Sequence, residues 1–413
     1  MLFDAAGFWR TSRQDGSLIT QTAGQTDIRA VNLAVVLGHL RREAPCSRAA
    51  IAAATGLNKA TVTSIVGDLI DRRLVRETQQ TRNQVGRPAT LLVLDGSAYA
   101  AIGLELSAHG LAALAYDTAG DQVLRWHRAG PSADAGSGKA IVALAALARR
   151  AISTVESSGR QVLGITVGVP GLVDHTGVVV LAAGLDWHDV PLEAELRTAL
   201  RRPDIPLHVG NDATLGALAE HTYGRRAGSA DLVHVTGDTG IGAGIIVGGR
   251  LVQGNLGYAG EIGHLRMVPD GPECGCGRRG CLEALASLPA ILRRTDTDPD
   301  LDPHLQLDNL IRRADSGEPS VTKVLTEAGS QLGYGLGTLV NLLDPAAIIL
   351  GGGYARLAPY LLPALTRSLA EASVAPADGR VVEASTLAGD AVSLGGVAQA
   401  FATLSAGRLP APA

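Results

Sequence analysis

The chain has 413 residues, a net charge of −4, 46 % apolar residues and only 3 % aromatics. That length suits two or three domains, each burying its own core, and a core of Ala, Val, Leu and Gly suits α/β layers with tight turns. No run approaches 18 uninterrupted apolar residues and Met1–Gln25 lacks a basic-then-apolar leader, which excludes a membrane span and predicts a cytoplasmic protein.

Charge is unevenly spread. Residues 1–93 hold 12 Lys/Arg against 7 Asp/Glu, and the remainder holds 24 against 33. A basic head on an acidic body is the asymmetry expected when only the head meets phosphate, although surface solvation alone can produce it.

Residues 1–25 read as an irregular lead-in, 26–95 as a first domain and 96–413 as a second. Leu33, Val36, Leu37 and Leu40 recur at helical spacing and predict a helix with one buried face. Ser47 can cap a short helix from Arg48 to Thr55 that stops at Gly56. Asn58 can cap a third, with Val62, Ile65, Val66, Leu69 and Ile70 as its apolar stripe. Two strands, Leu74–Thr78 and Thr90–Leu94, follow, joined by a turn holding Gly86-Arg87-Pro88. Three helices and a hairpin make a winged helix-turn-helix.

The polar face of the third helix carries Lys59, Thr61, Thr63 and Ser64, short groups of the kind that reach base edges and phosphates in a major groove. Alone, such a face would be an ordinary solvated one; its place in the motif favours DNA. Gly and Pro flatten the wing around Arg87, the side chain suited to a narrow, A·T-rich minor groove.

From Tyr99 the texture changes. Ala100–Leu106, Leu111–Tyr116 and Gln122–Arg128 read as consecutive strands, then a helix near 138–157 and a strand Val162–Val169. Further strands are predicted near Leu207–Val209, Asp231–Thr236, Ala243–Val247 and Ala346–Leu350, with helices near 213–223, 280–294, 320–343, 354–372 and 390–405. This alternation indicates a layered α/β domain in two lobes.

Three of the four cysteines fall within eight residues: Cys274, Cys276 and Cys281, with His264 ten residues upstream and Cys46 far away. One His and three Cys are the ligand set of a closed, tetrahedral structural Zn2+ site, and four protein ligands leave no open catalytic position. Three buried free thiols at this density would be unusual. Asn211-Asp212, Glu261 and Glu283 form an acidic and polar set that could accept hydrogen bonds from a sugar ring; Asp212 could instead cap the helix that follows it.

Gly237-Asp238-Thr239-Gly240-Ile241-Gly242-Ala243-Gly244, Glu261-Ile262-Gly263-His264, Cys274-Gly275-Cys276 through Cys281-Leu282-Glu283, and Asn211-Asp212 together resemble the ROK family of repressors, open reading frames and sugar kinases, over about residues 25–405. The resemblance implies a two-lobed, actin-like (ribonuclease H-like, sugar-kinase-type) domain, lobe 1 being about 96–210 plus 390–406 and lobe 2 about 211–389. It also implies sugar contacts from Asn211, Asp212, Glu261, His264 and Glu283. His264 would then bind zinc through one ring nitrogen and orient sugar with the other.

Family kinases open with an Asp and a Gly-rich loop after the first strand, where backbone amides approach ATP and the Asp serves Mg2+. Here that stretch reads Gly103-Leu104-Glu105-Leu106-Ser107-Ala108-His109-Gly110, with Glu for Asp and Leu106-Ser107 for the Gly pair. The second loop, Gly237 to Gly244, and Gly351-Gly352-Gly353 are kept, while Gly184 replaces an Asn that touches sugar in many relatives. The expected protein is therefore a non-catalytic sugar sensor that represses transcription from double-stranded operator DNA as a homodimer or homotetramer, with a small sugar or sugar phosphate as effector. The alternative is an ATP-dependent sugar kinase with an appended DNA-binding head, in which Asp212 would be the base.

Overall fold

The computed structural model describes residues 25–78, 90–107, 110–130, 136–299, 301–374 and 379–410. The head begins with α1 (Gln25–Glu43), α2 (Arg48–Thr55) and α3 (Lys59–Asp71), followed by β1 (Val75–Thr78) paired antiparallel with β2 (Leu91–Leu94). The predicted caps form. Ser47 Oγ accepts the Ala50 N–H, Asn58 Oδ1 accepts the Thr61 N–H, and Gly56 ends α2 at φ +73°, a conformation that costs glycine nothing. Leu33, Val36, Leu37 and Leu40 are buried against Ile51, Val62, Ile65, Val66 and Leu69. The wing tip with Gly86, Arg87 and Pro88 lies outside the described residues.

The body holds two five-stranded sheets of one topology. In the first, β3 (Tyr99–Ser107), β4 (Gly110–Asp117) and β5 (Gln122–Arg128) form an antiparallel meander. β6 (Gln161–Val169) and β10 (Leu207–Asn211) then add in parallel beside β3, giving the order β10-β6-β3-β4-β5. In the second, β11 (Leu232–Thr236), β12 (Gly242–Val247) and β13 (Arg250–Leu251) form the meander. β14 (Ala347–Leu350) and β15 (Val381–Ala384) add in parallel beside β11, giving β13-β12-β11-β14-β15, the equivalent of β5-β4-β3-β6-β10. This is the two-lobed, actin-like arrangement. Helix α4 (Gly136–Ser157) packs on the first sheet. A small antiparallel sheet, β7 (Leu172–Val173), β8 (Val179–Ala182) and β9 (Trp187–Val190), joins it, followed by α5 (Leu192–Leu200).

Helix α6 (Asp212–Tyr223) leaves β10 and packs on β11 and β12. The predicted helix at 280–294 is two: α7 (Leu282–Ala286) and α8 (Leu288–Arg294). Ser287 ends one and caps the other, and Pro289 fixes the second first turn. Helices α9 (Pro303–Asp315), α10 (Pro319–Leu343) and α11 (Gly352–Ala372) complete this lobe, and α12 (Ala391–Ala400) and α13 (Ala402–Ser405) end the described chain.

Glycines let α12 lie directly on the body. A Cβ at Gly103 would fall 1.8 Å from Ser393 O, and one at Gly395 would fall 1.9 Å from Leu215 O of α6. The far end of this segment meets the head. A Cβ at Gly407 would fall 1.9 Å from Ala30 O of α1, Arg41 donates to Ser405 Oγ (2.8 Å), and Arg72 donates to Pro410 O (3.1 Å). Val397, Ala400, Phe401 and Leu404 share one buried cluster with Leu37, Leu40 and Tyr99. The head is thus packed on the body through the C-terminal helices rather than hung on a linker. No described helix is long and apolar enough to cross a membrane.

Candidate metal centre and ligand cleft

The His264, Cys274, Cys276 and Cys281 ligand atoms all lie within 4.8 Å of one another. Cys274 Sγ is 3.7 Å from His264 Nδ1, and Cys276 Sγ is 3.8 Å from Cys281 Sγ. Four ligands about 2.3 Å from a central ion sit about 3.8 Å apart in a tetrahedron, so the donor set and its spacing fit a structural ion and not a disulfide. The loop achieves this by tight backbone turns. Cys274 N–H donates to Arg278 O, Gly277 N–H to Cys274 O, and Gly280 adopts φ +70° where a Cβ would fall 1.5 Å from Val268 O.

His264 ends a 3-10 turn, Ile262–His264, pressed against β12: a Cβ at Gly260 would fall 1.8 Å from Ala243 O. With Nδ1 toward Cys274, its Nε2 faces Glu261, 3.8 Å from Oε2. Glu283 takes the Ile241 N–H on Oε2 (3.1 Å) and the Cys274 thiol on Oε1 (3.5 Å). The metal cluster and the acidic residues are therefore one construction.

A cleft of about 260 Å3 between the two sheets is lined by Asn211, Asp212, Glu261, His264 and Glu283 together, so all five residues named as sugar contacts converge on it. Gly184, Thr239 and Arg293 line it as well. Cys274 and Gly275 reach the wall, where Gly275 meets Ala183 of the opposite lobe. The helix-capping role open to Asp212 falls to Asn211, whose Oδ1 accepts the Thr214 N–H (2.9 Å) while its Nδ2 donates to Gly171 O (3.0 Å). Asp212 begins α6, taking the Ala213 N–H on Oδ1. Burial, reinforced by Asp238, raises its carboxyl to about 7. Burial, with Asp212 and Glu283, raises Glu261 to about 7; a dication on His264 would pull it back.

Glu105 Oε2 is buried without a hydrogen-bond partner. Burial first, then Asp238, Asp212 and Asp390, push its carboxyl to about 8. Asp238 and Asp390 stand out only once the fold is closed, because they come from loops far from Glu105 in sequence. No spacing rule would group them.

On the head, Lys59, Thr63 and Ser64 are exposed on one face of α3 and Thr61 is half-buried. The Thr63 hydroxyl donates back to Lys59 O (2.8 Å), which leaves its oxygen free to accept. Arg87 lies outside the described residues.

Residues 101–402 match the ROK family model, and residues 34–83 match a MarR family model. The chain is 30% identical to the xylose repressor of Bacillus subtilis over 82% of this chain and 86% of that protein. Its structure is similar to a ROK family transcriptional regulator, a homolog of the E. coli MLC protein (TM-score 0.77, 25% identity, 92% of this chain and 98% of that one). It is also similar to a ROK family glucokinase from Streptomyces griseus in complex with glucose and AMPPNP (TM-score 0.62, 29% identity, 72% and 98%). Two sheets of one topology, a ligand cleft between them, one His and three Cys clustered behind it and a family match over most of the length lead to one conclusion: this chain belongs to the ROK family.

Proposed function

We propose that the chain is a sugar-responsive, DNA-binding transcriptional repressor, with a head of about residues 26–95 and an effector domain of 96–413. The observation that carries this reading is continuity. Helix α6 opens at the cleft with Asp212, packs on α12, and α12 shares its buried cluster with the head. A sugar held by Asn211, Asp212, Glu261, His264 and Glu283 against the opposite wall of the cleft, where Gly171 and Leu181 to Gly184 of the first lobe line it, would change the angle between lobes, and so the spacing of paired heads in a homodimer or homotetramer. The similarity to a xylose repressor and to a ROK transcriptional regulator supports it. The metal is Zn2+ held structurally, and the protein acts on the nucleoid in the cytoplasm.

Lys59, Thr61, Thr63 and Ser64 would enter the major groove, with Arg87 in the adjacent minor groove. Selection from genomic fragments should recover an inverted repeat with half-sites separated by whole helical turns, released on addition of the inducing sugar. Recovery of no specific sequence would overturn the reading. Lys59→Ala should weaken binding to all sequences alike and lower the salt slope by about one unit, as loss of one phosphate contact does.

The cleft is non-catalytic in this reading, since Glu105 and Leu106-Ser107 stand where a phosphate cradle would need Asp and glycines. A coupled ATPase assay across a sugar panel should read background. Turnover of roughly 1 per second, the low end of kinase rates, would assign a sugar kinase with a DNA-binding head instead.

A further inference from the structure

The N-terminus of α11, a helix of 21 residues, is entered through Gly351, Gly352 and Gly353. Unpaired amides and the helix dipole make such an opening a natural seat for an anion, and glycines leave room for one. Here the room is already taken. Asp238 Oδ1 accepts the Gly353 N–H at 2.7 Å, and Thr236 Oγ1 donates to Oδ2 at 3.1 Å. A Cβ at Gly352 would fall 2.1 Å from Asp238 Oδ2, and one at Gly351 would fall 2.0 Å from the His234 ring. His234 is buried with neither ring nitrogen hydrogen-bonded, and burial lowers it to about 4, so it brings no positive charge. Thr236, Thr239 and Gly240, flanking Asp238, line the ligand cleft.

We propose that Asp238 is a specificity-determining residue of this cleft: it is a built-in anion seated at the head of α11, and it makes that end of the cleft refuse phosphate, whether of a nucleotide or of a phosphorylated sugar. The inference rests on the sensor reading and narrows it, since the effector becomes an unphosphorylated sugar. Beyond burial, Asp238 raises the carboxyls of Glu105 on β3 and Asp212 on α6, and Asp390 before α12 raises Glu105 further, so negative charge is already crowded here. Arg125 and His127 of β5 are paired with Asp390, and Arg293 is a basic residue that lines the cleft itself. An incoming phosphate would meet like charge and an occupied cap.

The test is calorimetric titration of the intact, metal-loaded protein with inorganic pyrophosphate and with Mg·AMP-PNP, for wild type, Asp238→Gly and Asp238→Asn. Wild type should give no binding at millimolar concentration, and Asp238→Gly should gain at least about tenfold for both probes. Asp238→Asn keeps a cap acceptor without the charge and should gain as well, which covers a glycine variant that fails to fold. Sub-millimolar binding of either probe by wild type overturns the inference, as does a folded Asn variant with no gain. Sugar phosphorylation by wild type would instead overturn the sensor reading, so the two failures are distinguishable.

Discussion

Metal-free protein should lose its sugar response while its head still binds operator. Segment 265–280 has few apolar anchors: Leu265 and Met267 pack half-buried on the core of the second lobe, and from Val268 to Gly280 only Gly271, Cys274 and Gly280 are buried. Beyond Met267 its order therefore rests on the four ligands and on a few backbone hydrogen bonds. Closed zinc sites contribute about 10–16 kcal/mol of apparent folding free energy in zinc-finger peptides, so even a fraction of that decides whether this loop holds its shape. Glu261, His264 and Glu283 are all tied to the loop, and sugar affinity should fall by two orders of magnitude or more when it melts. Burial holds the Cys274 and Cys281 thiols above their usual range, so an ion must displace their protons and loading should fail in mild acid. Cys276→Ala removes one ligand from a half-buried position and should reproduce the effect of a chelator. Elemental analysis before treatment should find about one zinc per chain. Calorimetry afterwards should find a broadened, lowered transition in the body. A full sugar response from chelated protein would remove the metal from the mechanism.

Much of this was legible in the residues. The head could be read helix by helix because its signals are local: a cap, an apolar stripe and a left-handed glycine each lie within one turn of what they control. The metal set was legible because ligand types and spacing carry their own chemistry. The cleft was legible only through motifs, since Asn211, Glu261 and Glu283 are brought together by the packing of two sheets. Helices α5, of nine residues, and α9, of thirteen, escaped, and the rest of what escaped was short or tertiary. Strands β7 to β9 have two to four residues each, too few to show alternation. The break at Ser287 hid inside a continuous helical pattern, although Ser287 with Pro289 was a usable signal. Asp238 sat inside a glycine loop that reads as an open phosphate binder. Only the position of α11, more than a hundred residues on, turns it into a cap.

Asp212→Ala should abolish the sugar response and leave operator affinity without sugar unchanged. Asp212 starts α6 in the cleft, whereas the head meets the body through α1, α12 and the segment up to Pro410. Linkage bounds the effect: a sugar can shift DNA affinity only by its preference between lobe arrangements, typically 1–3 kcal/mol, or about 5- to 150-fold. The mutant should forfeit all of it. Protonation supplies a second readout. Sugar hydroxyls donate best to an ionised carboxylate, and burial holds Asp212 protonated up to about pH 7. Sugar binding should therefore release a proton below that pH, and affinity should fall by up to about tenfold per pH unit as pH drops below 7, levelling off above it. The unliganded fold moves the opposite way. A carboxyl whose folded value is raised contributes stability that is full below the unfolded value near 4 and is lost as pH climbs through about 7. The upward shift of melting temperature on adding sugar should thus be larger at pH 8 than at pH 6 in wild type, and this difference should shrink in Asp212→Asn, where Glu261 is left to titrate. An Asp212→Ala protein that still releases its operator when sugar is added would place the effector site somewhere other than this cleft.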